Sequence, residues 1–96
     1  MSVTIVYNFQ AVPGAAGALL DLLQRGRDFA LTVDGCEAFE VYQGKDDSHE
    51  FVMIERWTSV EAHQAHFEKN VKASGVLDRV EAFLTAPVQG IYYLRR

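Results

Sequence analysis

Residues able to do chemistry are few in this chain, and they gather in its second half. Trp57 closes a strand-like run and is followed directly by a helical segment carrying His63 and His66. Helical periodicity puts Val60, Phe67 and Val71 on one apolar stripe, with His63, His66 and Asn70 in a polar band beside it. A hollow between that helix and the strand would have an aromatic wall at Trp57 and one or two imidazoles at its edge. Leu19, Leu23 and Met53 would supply its apolar filling. Such a hollow suits an aromatic or otherwise apolar small molecule with one ionisable hydroxyl. Histidine is the side chain that takes up a proton near neutrality, so His66 first and His63 second are the expected catalytic residues. Trp57, Met53 and Asn8 are the expected substrate contacts. A plainer reading stands beside this one, in which Trp57 is ordinary core and His63 a half-exposed helix residue.

Other groups carry weaker signals. His63 and His66 lie three residues apart and could share a metal, but no third ligand is marked, so no metal site is expected. Pro13-Gly14-Ala15-Ala16-Gly17 sits where a phosphate loop would, yet it lacks the Gly-Lys-Ser/Thr ending and reads as a turn that starts a helix. Cys36 has no evident partner base and reads as a small buried residue rather than a nucleophile. Glu55 shares a strand face with Trp57; it reads first as a structural anchor and second as a base. Asn8 would orient a ligand if its side of the first strand faced the hollow, which alternation alone leaves open.

The elements that must position these groups follow from periodicity. Val3, Ile5, Tyr7 and Phe9 alternate with polar or smaller residues, giving a first strand that Pro13-Gly14 breaks. Ala16, Leu19, Leu20 and Leu23 fall at helical spacing, weakened by Gly26, and Asp34-Gly35 ends that helix. Residues 36–43 and 50–57 read as two strands joined by the polar Gly44–His49 loop. Thr58 with Glu61 fits a capping box for the next helix, and Ser59 is an equally good cap. After Gly75 a shorter helical piece spans Val76–Leu84, Pro87 stops it, and Val88–Leu94 makes a last strand.

This β-α-β-β-α-β order predicts a single α+β domain over residues 1–96: a ferredoxin-like, four-stranded antiparallel sheet with helices on one face. Several strands are apolar on both faces, as with Phe51 and Met53 against Val52 and Ile54. Helices on one side cannot bury both sets, so the second face is expected to pack against another copy in a homodimer.

Composition excludes several functions. The 96 residues are 49% hydrophobic and 23% charged, as in a globular domain and unlike a disordered segment. A formal charge of −4 argues against binding nucleic acid through its phosphates. One cysteine cannot form an intrachain disulfide, and no apolar run is long enough to span a bilayer; with no signal-peptide pattern at the start, a cytoplasmic setting is expected.

Read together, Gly35-Cys36, the apolar strand Phe51–Trp57 ending Glu-x-Trp, the capped helix, and His66 nine residues after Trp57 resemble the antibiotic biosynthesis monooxygenase (ABM) domain family. Pro13-Gly14 before the first helix fits as well. The resemblance implies a dimeric α+β barrel and a pocket between sheet and helices in each chain. It also implies oxidation of anthrone- or quinol-type aromatics by molecular oxygen, without metal, flavin or other cofactor. By position Trp57 matches the family's pocket tryptophan and His66 its helix histidine. His63 falls where some members carry tyrosine, and Met53 where some carry asparagine. Asn8 is placed like the early-strand asparagine of haem-degrading relatives, but their axial histidine has no counterpart among residues 70–84. The reading that results is a cofactor-independent monooxygenase acting on an aromatic or quinol-like molecule. A non-catalytic ligand-binding or stress-associated dimer and an isomerase of a small oxygenated metabolite are the alternatives.

Overall fold

Strand β1 (Val3–Gln10) sends Val3, Ile5, Tyr7 and Phe9 to a buried face and leaves Asn8 and Gln10 exposed, the alternation expected of a half-buried strand. In the computed structural model, which describes residues 1–96, helix α1 (Ala16–Ala30) follows, then β2 (Cys36–Gln43), β3 (Glu50–Trp57) and helix α2 (Val60–His66). A π-helical turn (Phe67–Lys72), helix α3 (Val76–Glu81) and β4 (Gly90–Tyr93) complete the chain. The strands form one antiparallel sheet in the order β2-β3-β1-β4. This is the ferredoxin-like arrangement, with the sheet open rather than closed.

The inner face holds the core. Leu19 and Leu23 from α1 pack with Ile5, Phe9, Phe39, Phe51 and Trp57 of the sheet. Gly35 makes the turn into β2 at φ +93°, where a side chain would be strained; an added Cβ would also lie 3.1 Å from Ala62 of α2. That close approach brings the start of α2 down onto the end of β3. Ser59, not Thr58, caps α2: its Oγ accepts the Ala62 N–H at 3.0 Å.

Three boundaries differ from the periodic reading. Past His66 the helix widens into the π turn, where the Ala73 N–H reaches the Glu68 carbonyl five residues back. Helix α3 ends at Glu81 rather than Leu84, and strand β4 is shorter than expected, pairing only through Gly90–Tyr93 opposite Tyr7 back to Thr4 of β1.

The outer face is bare. Ile91 and Tyr93 of β4, Val6 of β1, Val52 and Ile54 of β3 and Tyr42 of β2 share it; Ile91 is 55% exposed and Tyr42 and Tyr93 are each 50% exposed. No helix is long and apolar enough to cross a membrane.

Candidate active site

Period-two alternation puts Phe51, Met53, Glu55 and Trp57 on the inner face of β3. The register then decides their neighbours: Glu55 lies between Ile5 of β1 and Phe39 of β2, both apolar. A carboxylate so placed loses its hydration. Burial pushes the Glu55 pKa up to about 7, against a smaller opposing effect of the Trp57 hydrogen bond. That bond runs from the indole Nε1–H to Oε1 of Glu55 at 2.9 Å. No buried side-chain nitrogen or oxygen in the chain lacks a partner. Since Oε1 takes the only hydrogen bond to this carboxylate, Oε2 keeps contact with open space, and the space that Glu55 lines is a cavity.

The cavity measures about 400 Å³, is open on one side and is mostly apolar. Phe29 of α1, Phe39 of β2, Phe67 and Val71 of the π turn and Val80 of α3 contribute to its walls. Its polar groups are Glu55, Tyr7, His63, His66, Asn70 and Ser74, together with Arg25 and Arg79. No group of three or more His, Cys, Asp or Glu side chains is arranged to hold a metal ion.

Both histidines sit in this lining, and both are buried. His63 is saturated: its Nε2 is 3.0 Å from the Tyr7 hydroxyl and its Nδ1 2.7 Å from that of Tyr92. Burial, with a smaller contribution from its charge interaction with His66, pushes its pKa down to about 4, so the ring is neutral near pH 7. Tyr7 remains a phenol, its pKa driven far up by burial and, secondarily, by the Glu55 charge. Its hydroxyl hydrogen has Nε2 as its one acceptor, which assigns His63 as the Nδ1–H tautomer donating to Tyr92. His66 takes the opposite form. The Asn70 amide Nδ2–H donates to Nδ1 at 3.0 Å, so the neutral ring carries its hydrogen on Nε2. Burial lowers the His66 pKa as well. The Glu55 Oε1 to His63 Nε2 separation of 4.0 Å is therefore a carboxyl beside a neutral ring, not an ion pair.

The structure brings together His63, His66 and Met53, which all line the cavity. Trp57 lies differently. It is 0% exposed and is not part of the lining; it packs behind, 4.8 Å from the His66 ring and 5.9 Å from that of His63. The expected aromatic wall is thus a support for the polar groups, and Phe29, Phe39 and Phe67 are the walls. Asn8 is on the outer face, exposed, because β1 turns its Tyr7 parity toward the helices; it does not reach the cavity. Leu23 lines the hollow, whereas Leu19 is buried beneath it. Periodicity marks two further residues only as strand positions: Tyr7 in the first strand and Tyr92 within the Val88–Leu94 strand. The lone phenol among Ile5 and Phe9 was the available signal, since a buried tyrosine hydroxyl needs a partner.

A family model described as antibiotic biosynthesis monooxygenase matches residues 2–71. The chain belongs to that family. The ABM match covers Tyr7, Glu55, Trp57, His63, His66 and Asn70, while Arg79 and Tyr92 lie beyond it. Solved structures extend the likeness over the full length. Rv0793 from Mycobacterium tuberculosis is 26% identical, with 100% of this chain and 96% of that one covered at a TM-score of 0.87. PA3566 from Pseudomonas aeruginosa is 27% identical, with 99% and 94% covered at 0.86. SnoaB from Streptomyces nogalater, described as a cofactor-independent oxygenase, shares the fold at a TM-score of 0.84 and 19% identity, with 99% and 93% covered. No curated protein matches in a sequence search.

Proposed function

We propose that this ABM chain is a cofactor-independent monooxygenase acting on an aromatic, quinol-like small molecule. One observation carries the reading: a mostly apolar cavity of about 400 Å³ is lined by a buried carboxyl and two neutral imidazoles. Its size suits a planar guest of drug-like dimensions. Loss of the guest's hydroxyl proton gives an electron-rich anion, which itself reduces molecular oxygen. At an anthrone-type methylene, one oxygen atom becomes the new carbonyl and the other leaves as water with both hydrogens, so the substrate is the reductant. The Nε2–H of His66 is a donor available to the anion, and the apolar walls keep water from it. The name of SnoaB as a cofactor-independent oxygenase supports the reaction class.

The same reading includes a homodimer packed outer face to outer face, which would cover Ile91, Tyr93 and Val52. It also includes a cytoplasmic setting, consistent with one free cysteine, Cys36.

Oxygen uptake by purified protein tests the reaction, with a reduced naphthoquinol and an anthrone as substrates and a chelator present. The expected result is uptake above autoxidation, unchanged by the chelator. Binding without uptake would favour the ligand-binding alternative and overturn the oxygenase.

A further inference from the structure

We propose that Glu55, rather than either histidine, is the proton acceptor of this site, its Oε2 taking the hydroxyl proton of a bound phenol-type guest. The inference rests on the aromatic-hydroxyl reading of the cavity given above, and it names the atom that does the first chemical step.

The atoms decide between the candidates. A general base needs a free lone pair within reach of the guest. His63 has none, since Tyr7 donates to Nε2 and Nδ1 donates to Tyr92. His66 has its lone pair at Nδ1 committed to Asn70 and holds a hydrogen on Nε2, which makes it a donor. Arg25 and Arg79 are acceptors of nothing. Asn70 and Ser74 offer only an amide oxygen and a hydroxyl, the latter donating to the Asn70 carbonyl at 2.6 Å. Glu55 alone combines a basic oxygen, contact with the cavity, and a second oxygen pinned in place by Trp57. Trp57 is a positioning residue: by holding Oε1 it fixes the direction of Oε2, and it touches no guest.

The step balances simply. The guest O–H bond breaks, an O–H bond forms at Oε2, and the electron pair stays on the guest oxygen, leaving a neutral carboxylic acid and a phenolate. No electron leaves the guest in this step. Titratable and charged groups face the acceptor from every packed element, while burial and the Trp57 bond set its own pKa. Tyr7 faces it from β1, Cys36 from β2, Tyr92 from β4, His63 and His66 from α2, and Arg25 and Arg79 line the same cavity from α1 and α3. Burial raises the carboxyl to about 7, close to the working pH at which a general base is most effective.

The test is made without oxygen, so that proton transfer is read apart from oxidation. Wild-type protein and the variants E55Q and W57F are mixed under nitrogen with 1,8-dihydroxyanthrone, and the anion absorbance is followed from pH 5 to 9. Quenching of Trp57, the one tryptophan, reports binding to wild type and E55Q. The expected results are an anion band in wild type with a midpoint near pH 7, and at least tenfold less anion in E55Q at matched occupancy. In W57F the midpoint moves to higher pH, because Oε1 loses the bond that favours the charged carboxylate. A purely structural Glu55 would not move that midpoint, and E55D, which restores an acceptor, should recover part of the band if E55Q folds poorly. An equal anion band in E55Q, or wild type forming no anion whether or not it binds, would overturn the assignment. Anion formed under nitrogen but no oxygen uptake in air would keep Glu55 as acceptor and sink the monooxygenase reading instead.

Discussion

The Trp57 indole N–H donates to Oε1 of Glu55, two residues earlier on the same strand, at 2.9 Å. The pairing follows from the pleat: residues i and i+2 share a face, and here that face is closed by α1 and α2. Glu-x-Trp is thus one structural unit, a carboxyl with one oxygen anchored and one left open.

Glu55 should cost the fold stability above pH 7, and its replacement should show this. A carboxyl raised from 4.5 to about 7 is deprotonated in the unfolded chain before the folded one, so folding loses stability as pH rises through that window. The Glu55→Gln variant keeps an acceptor for Trp57 and removes the charge. Urea denaturation at pH 8 should show it more stable than wild type by about 3 kcal/mol, an upper figure from the shift. Near pH 4 the gain should vanish. His63 acts in the opposite sense: held at about 4, it resists a proton that the unfolded chain accepts below 6.5, so its contribution falls with falling pH. E55Q should therefore lose more stability than wild type as pH drops from 6.5 to 4.5, with His66, also lowered by burial, adding the same loss to both. Matching slopes in the two proteins would contradict the Glu55 shift.

Gly90 should be intolerant of a side chain because of Tyr7. The two are paired across β4 and β1, and a Cβ on Gly90 would lie 2.6 Å from Tyr7 Cε1. Gly90→Ala should displace the phenol, lengthen its hydrogen bond to His63 and destabilise by about 1–3 kcal/mol. Thermal denaturation reads the stability, and the His63 ring proton shifts in NMR read the lost partner.

Ser59 and Thr58 should separate cleanly. Ser59→Ala removes the acceptor for the Ala62 N–H and should cost about 1 kcal/mol, while Thr58→Ala should stay within about 0.5 kcal/mol. Equal losses in chemical denaturation would mean that the cap is shared.

Ile91→Lys should test the dimer. Ile91 is opposite Val6 on the bare outer face, and a charge there would be buried without a partner in a sheet-to-sheet dimer. Sedimentation should give twice the chain mass for wild type and a single chain for I91K. A monomeric wild type at micromolar concentration would rule the dimer out.

Local periodicity determined much of this protein. The strands at 3–10, 36–43 and 50–57, the helix that opens after Pro13-Gly14, and the common face of Glu55 and Trp57 all follow from spacings of two and 3.6 residues. The Gly-Cys, Glu-x-Trp and histidine spacing led to the family that the match over 2–71 shows. Tertiary structure decided what each polar atom does. Tyr7 meets His63 across 56 residues and Tyr92 meets it across 29, so no local pattern could show that both imidazole nitrogens are occupied. The side of β1 that faces the helices sends Asn8 outward, and the packing of α2 puts Trp57 behind the cavity lining rather than in it. Which residues share a face is a property of the backbone's own repeat. Which lone pair remains free is settled only when distant elements close around it and take up the others.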